Sequence, residues 1–192
     1  LGTAYYAVNN TNEVLKDKRV RKALALAIDR NYIVENITKG GEVPAGAFIP
    51  FGLKDVNGDF RENGGNYFSV SKEDYESNVE EAKKLLAEAG YSNGTNFPVL
   101  EFKTNPGAGV TIAEAVQQMW KENLNVDMSI TQEEWSVFQK NRQTRNYTVC
   151  RADWIGDYLD PMTFAQLFTS TSAGNRVGYS NINYDNLIKE AQ

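Results

Sequence analysis

A chain of 192 residues with 41% hydrophobic and 23% charged side chains can bury one large core or two small ones, and its balance is that of an ordinary globular protein. Its formal charge of −5 argues against a nucleic-acid backbone as the main partner. It has no histidine and a single cysteine, Cys150, which removes the commonest general base, the Ser-His and Cys-His nucleophile systems, most transition-metal sites and any internal disulfide.

No cofactor or metal site is expected, and Cys150, in a β-prone run, reads as a small buried hydrophobe. No apolar stretch approaches the roughly 20 residues that span a bilayer. The chain opens at Leu1 in a strand-like segment and stops at Gln192 inside a helical pattern, as an excised fragment would, with any signal or anchor outside it.

Tyr5 to Val8 has strand character, which the polar Asn9 to Asn12 ends. From Asp17 the spacing of Val20, Leu24, Ala27 and Ile28 gives one apolar helical face with basic residues opposite. Asp29 can cap a second short helix, Asn31 to Thr38, closed by Gly40-Gly41. Residues 42–70 carry prolines and several glycines with little periodicity, the pattern of a long surface loop. Ser71 to Tyr91 predicts a helix with Val79, Ala82, Leu85 and Leu86 inward and Gly90 at its close.

Val99 to Lys103 alternates like a half-buried strand. A helix from Val110 to Leu124, stopped by Asn125, leads to a strand over Val126 to Ile130. A short helix follows from Glu133 to Asn141, then a strand from Tyr147 to Ala152, and last helices from Pro161 to Phe168 and from Tyr184 onward. Strand, helix, strand, helix, strand in succession predicts an α/β arrangement in which crossover helices cover a mixed sheet. One domain over residues 1–192 is the resulting expectation.

The segment YTVCRADWIGDYLDP, Tyr147 to Pro161, passes from an apolar strand into a loop with Asp153, Asp157 and Asp160 around Trp154 and Tyr158. Such loops are where α/β folds place ligands. Asp160, just before a proline, suits a helix cap. Asp157 follows Gly156 between two aromatic side chains, a setting in which a carboxylate pairs well with an ammonium group. Two nearby carboxylates also suit glycoside hydrolysis, and stacked aromatic rings suit a sugar. Gly107-Ala108-Gly109 before a helix lacks the GK[ST] of a phosphate loop and the third glycine of the dinucleotide fingerprint. Trp120 and Trp135 on amphipathic helices are packing residues by default, and Arg142 and Arg145, near a helix end, are solvated by default.

Three stretches together carry a resemblance. The first runs from Tyr5-Tyr6-Ala7-Val8-Asn9-Asn10 through Asp17-Lys18-Arg19-Val20-Arg21-Lys22-Ala23-Leu24 to Ala27-Ile28-Asp29-Arg30. The second is Glu81-Ala82-Lys83-Lys84-Leu85-Leu86-Ala87-Glu88-Ala89-Gly90-Tyr91. The third joins Trp120-Lys121 through Val126, Gln132 to Trp135, and Arg151 to Tyr158. In order and spacing they resemble the extracytoplasmic peptide-binding proteins of ABC transporters, the oligopeptide- and dipeptide-binding group of solute-binding protein family 5.

The resemblance implies a periplasmic-binding-protein-like α/β lobe, the C-terminal one of two that close on a peptide by a hinge. It implies capture rather than catalysis, with the peptide backbone added to protein strands. Partners would be short peptides and the ABC permease subunits, not nucleic acid. The protein would be a monomer outside the cytoplasm, periplasmic or a cell-surface lipoprotein, touching the membrane only through an anchor or the permease.

Residue by residue, Asp157 matches the family aspartate that pairs with the peptide α-ammonium. Asp153 and Ile155 match positions whose backbone pairs with the peptide, with Trp154 between them as a pocket wall. Tyr6 lies in the aromatic strand near the ligand, Trp135 and Arg142 line pockets on either side of the short helix, and Arg151 meets a peptide carboxylate. Asn175, or its neighbour Gly174, falls at another pocket position. Some members place a histidine near the ligand carboxylate; Gln143 stands there in this sequence. Relatives of this fold also bind oligosaccharides, nickel complexes and haem, so a non-peptide solute is the alternative ligand and a carboxylate-based hydrolase a more distant one.

Overall fold

The computed structural model describes residues 1–192, apart from the side chain of Ala108. In chain order it has β1 (Gly2–Val8), α1 (Lys18–Leu26), and α2 (Arg30–Tyr32) running into a π-helical turn (Ile33–Thr38). A hairpin of β2 (Lys54–Asp55) and β3 (Gly58–Asp59) comes next, then α3 (Phe60–Gly64) and α4 (Tyr75–Glu88). β4 (Leu100–Thr104), α5 (Ala108–Leu124), β5 (Met128–Gln132), α6 (Trp135–Thr144) and β6 (Val149–Ile155) follow. The chain closes with α7 (Met162–Ala165), a 3₁₀ turn (Gln166–Phe168) and α8 (Ile182–Glu190).

The central sheet has the order β1, β6, β4, β5. β4 runs parallel to both β5 and β6, whereas β1 pairs antiparallel with β6 over its whole length, Gly2 opposite Ile155 and Val8 opposite Val149. This is the expected mixed sheet, with α5 and α6 as crossover helices. Side chains alternate across it. One face, bearing Leu100, Phe102, Met128 and Val149, packs on Val20 and Leu24 of α1, Ala82 and Leu86 of α4, and Val116 and Trp120 of α5. The Trp120 Nε1–H donates to the Leu24 carbonyl at 2.9 Å, so the indole buries its bulk without stranding its one donor. Along the other face Ala7, Cys150 and Ala152 meet Phe138 of α6, Tyr147 and Val177.

Helix starts follow the cap chemistry. Asp17 accepts from the Arg19 N–H at 2.8 Å and Asp29 from the Tyr32 N–H at 2.9 Å, each satisfying a donor the helix cannot. Asn125, at φ 54°, ends α5 as expected. The second helix differs: it widens into π geometry, and Lys39, at φ 52°, closes it one residue before the glycines. Its N–H reaches the Val34 carbonyl five residues back at 3.0 Å.

The stretch 42–70 is not a bare surface loop. It holds β2, β3 and α3, and its aromatic and apolar residues dock on the sheet. The Phe48 ring stands edge-on to Tyr5 (5.0 Å), Phe168 (4.8 Å) and Phe164 (5.7 Å). Thr3 Oγ1 donates to the Phe48 carbonyl at 2.7 Å, and Leu53 is buried. These contacts are all distant in sequence, so local periodicity carries no trace of them.

Other boundaries shift for identifiable reasons. α4 is shorter at both ends than the expected 71–91. β4 is largely buried on both faces rather than half-buried: it lies at the centre of the sheet, Leu100 and Phe102 pack under the helices, and on the other face Lys103 is covered in its ion pair with Glu133. Val126 belongs to the turn after α5: its N–H bonds to the Trp120 carbonyl at 3.2 Å, which delays β5 until Met128. β6 begins later than expected and continues to Ile155, because β1 pairs with it that far. Asp153 therefore lies within a strand, not in a loop after it. α8 starts at Ile182, with the Asn181 side chain accepting from the N–H groups of Asn183 and Tyr184.

Candidate functional site

The parallel strands deliver the candidate residues to one end of the sheet. Asp157 lies just past β6, Asn105 just past β4, and Trp135 opens α6 just past β5. β1, being antiparallel, brings its first residues to the same end.

β6 outruns its neighbour there. Its ladder with β4 contains Phe102 opposite Val149 and Lys103 opposite Cys150, while β1 follows it to Ile155. From Asp153 to Ile155 the strand thus has a partner on one side only among the described residues. The Gly156 N–H donates to the Leu1 carbonyl and the Thr148 carbonyl accepts from the Asn9 N–H, both at 3.0 Å. Even-numbered residues therefore point their main-chain groups at β1, and Asp153 and Ile155 point theirs at the open side. An unpaired strand edge of this kind accepts an extended chain.

The loop after β6 is braced by Thr163 of α7, which is fully buried. Its carbonyl accepts from Trp154 Nε1–H at 2.9 Å and its hydroxyl from the Asp157 N–H at 3.1 Å. Trp154 is thereby held half-buried against α7, and Asp157 is held at a fixed point beyond the strand. The Asp157 carboxylate is exposed and takes neither a hydrogen bond nor an ion pair among the described residues. Asp160 caps α7, accepting from the Met162 N–H at 2.7 Å, as the sequence suggested.

Arg151 lies on the helix-covered face of β6. Its Nη1 donates to Asn105 Oδ1 at 3.0 Å and its Nη2 stands 3.9 Å from Asp153 Oδ1. It crosses the start of α5 so closely that a Cβ on Gly109 would fall 2.7 Å from Arg151 Cδ. Gly109, in the first turn of α5, thus makes room for an arginine, and Gly107 takes the positive φ of 129° at the helix start, which accounts for both without a phosphate.

α6 carries both Trp135 and Arg142, seven residues apart and so on one helical face rather than at opposite ends outside it. Both meet Phe138: the Trp135 ring at 6.1 Å between centroids, and the Arg142 guanidinium 5.7 Å from the ring centre. Trp135 is 52% exposed, whereas Arg142 is 9% exposed, against the expectation of a solvated arginine. Burial raises the Tyr5 phenol above its ordinary value, while the nearby Arg142 charge pulls it down. The Cys150 thiol beside them is pushed up to about 12, chiefly by burial, the inert buried cysteine that the sequence implied.

Two candidates fall elsewhere. Tyr6 projects onto the helix-covered face, tilted on Phe102 at 4.5 Å between centroids, with its hydroxyl buried and unpartnered among the described residues. Burial raises its pKa. Tyr5, one residue earlier, is the tyrosine that faces Arg142; strand alternation alone could have separated the pair. Asn175 is buried, and its side chain is fully engaged within its own loop. Its amide donates to the carbonyls of Thr169 (3.1 Å) and Tyr179 (2.7 Å), and its oxygen accepts from the Tyr179 N–H. Gln139, Arg176 and Phe48 join the site without any local signal in the sequence.

The family model described as bacterial extracellular solute-binding proteins, family 5 middle, matches residues 1–176. The chain belongs to that family. It is 37% identical over 191 residues to the periplasmic murein peptide-binding protein MppA of Escherichia coli K12, covering 100% of this chain and 34% of that protein. With the oligopeptide-binding protein OppA of Bacillus subtilis it shares 34% identity over 193 residues, again covering 100% and 34%. The structure of Haemophilus influenzae OppA in complex with the peptide RPPGFSPFR superimposes with a TM-score of 0.88 at 33% identity, over 100% of this chain and 36% of that one. The chain thus spans about a third of the length of the curated relatives it matches. Its fold is that of the periplasmic-binding-protein-like peptide binders. No helix in it is long and apolar enough to cross a membrane, among the described residues.

Proposed function

We propose that this chain is the C-terminal ligand-binding lobe of the substrate-binding component of an ABC peptide importer, which captures oligopeptides between two lobes and delivers them to the membrane permease. The observation that carries the reading is the open edge of β6, with the main-chain groups of Asp153 and Ile155 presented beside the unpaired carboxylate of Asp157. An extended peptide laid along that edge gains main-chain bonds whatever its sequence, and its α-ammonium meets a carboxylate. Trp154, Trp135 and Arg142 border the side-chain pockets, and Arg151 offers a cation to a carboxylate. Tyr6 supports the strand from the core and Asn175 shapes the loop before α8, so neither enters the proposed contact set.

The relatives' names, which specify peptide binding, support this ligand class. The setting proposed is extracytoplasmic, periplasmic or lipid-anchored, and the protein monomeric. A catalytic carboxylate pair finds less support: Asp153 sits in a strand beside Arg151, and of the two only Asp157 is without an ion-pair partner among the described residues.

Calorimetric titration of the full-length protein with tri- to pentapeptides tests the reading. Saturable binding is expected, weakened about 10- to 100-fold in Asp157→Asn, the effect of losing one charge-assisted contact. N-acetylation of the peptide should weaken the wild type similarly and add little in the variant. Unchanged affinity in Asp157→Asn would remove the ammonium-pairing role.

A further inference from the structure

Lys103, on the central strand β4, lies opposite Cys150 of β6 and so shares with it the face that α6 covers. It is only 8% exposed, and a lysine so placed needs its charge matched. Its Nζ stands 3.0 Å from Glu133 Oε1 and 3.9 Å from Glu101 Oε2, and the Glu133 side chain is almost as well covered. The same Glu133 oxygen accepts from Asn141 Nδ2 of α6 at 2.8 Å. Asn141 Oδ1 in turn accepts from Asn146 Nδ2, in the turn after α6, at 3.0 Å. On the strand side the Glu133 N–H donates to the Thr104 carbonyl at 2.9 Å, and Thr131 Oγ1 to Glu101 Oε1 at 3.0 Å. Both members of the covered pair thus have their partner within this chain, and further chain packed on the lobe can only deepen their burial.

Such a pair is a poor source of stability, because two apolar side chains of similar volume in its place commonly fold a protein as well or better. What it adds is direction: ion pairs and hydrogen bonds are satisfied in a narrow geometry, whereas an apolar contact tolerates sliding and rolling. α6 has a use for that direction. Its apolar anchor on the sheet is Phe138, packed with Cys150 and Ala152 of β6, and one side chain fixes where a helix rests but not how it is rolled. The link through Asn141 adds a second attachment, on β4 rather than β6. Trp135 and Arg142 ride on the same helix, both against Phe138, so a roll of α6 displaces both.

We propose that the covered link Lys103–Glu133–Asn141 sets the seat of α6 on the sheet, and through it the places of Trp135 and Arg142 at the peptide cleft. Lys103 is then a positioning residue for ligand selection. This rests on the peptide-binding reading above.

The test uses the full-length protein, titrated with tetra-alanine and with the tetrapeptides in which each position in turn is Phe. In the double variant Lys103→Met/Glu133→Met the urea midpoint should stay at or above the wild-type value. The peptides whose Phe reaches α6 should nevertheless bind about tenfold more weakly, with the others little changed. Trp135→Ala should cost affinity for those same peptides in the wild type and much less in the double variant, since the ring is already misplaced there. If the double variant does not fold, Asn141→Ala, which cuts the link from the helix side, should weaken the same peptides by about threefold. Unchanged affinities in a folded variant, or a loss equal for every peptide, would overturn the positioning role and leave the peptide reading standing. Failure of the wild type to bind any peptide would sink both.

Discussion

The two faces of the central sheet are made by the same strands and differ in almost every other respect. Towards α1, α4 and α5 the sheet presents Leu100, Phe102, Met128 and Val149 to a continuous apolar core. Towards α6 and α7 it presents a smaller cluster around Cys150 and Ala152, ringed by aromatic groups and arginines. The first face makes the fold stable. The second, with the strand ends, provides surfaces that are shaped but not saturated. A period of two along a strand is enough to divide these tasks between adjacent residues, as Tyr5 and Tyr6 demonstrate.

Substitutions can break this division. Phe102→Ala, in the middle of the larger core, should cost about 3–5 kcal/mol of folding stability, measured by urea unfolding. A loss under about 1 kcal/mol would mean that the helix-covered face is not the main source of stability. Thr163→Val keeps the shape but removes the hydroxyl that holds Asp157. It should cost about 1 kcal/mol of stability, and peptide affinity should fall as well, because the carboxylate is no longer fixed. Lost stability with unchanged affinity would show that the brace does not position Asp157.

A smaller effect at ordinary pH concerns Cys150. Its ordinary pKa near 9.0 rises to about 12 in the fold, so the folded state keeps its proton longer than the unfolded one. The associated stability is complete below about pH 9 and drains away as pH climbs towards 12. Denaturant midpoints at roughly pH 8 and pH 10 should fall further apart in the wild type than in Cys150→Ala. Equal spacing would place the thiol in a wetter setting than its neighbours imply.

Much of the helical framework was legible from local chemistry. Asp17, Asp29 and Asn125 each do at a helix end what their side chains or backbone tolerance predict. The end of β6 was not legible. Asp153 is a poor strand former in isolation and Gly156 follows closely, so the extension of the strand to Ile155 comes from its register with β1. The docking of Phe48 was equally hidden, since its partners Tyr5, Phe164 and Phe168 lie on three other segments. At the candidate site, Asp157 could be singled out because glycine and aromatic neighbours flank it in sequence. Gln139 and Arg176 could not, because 37 residues separate them and only the fold makes them neighbours.

The open edge of β6 also bears on how such a chain avoids its own kind. Unpaired main-chain groups on an extended strand attract any other extended strand, including the same one in a second molecule. Asp157 puts negative charge at the end of that edge, and the strand stops at Ile155 just before it. Two copies approaching edge to edge would bring like charges together, whereas a short peptide entering with its amine forward would not. On the proposed function, a single arrangement of side chains would thus admit a guest and keep out a twin.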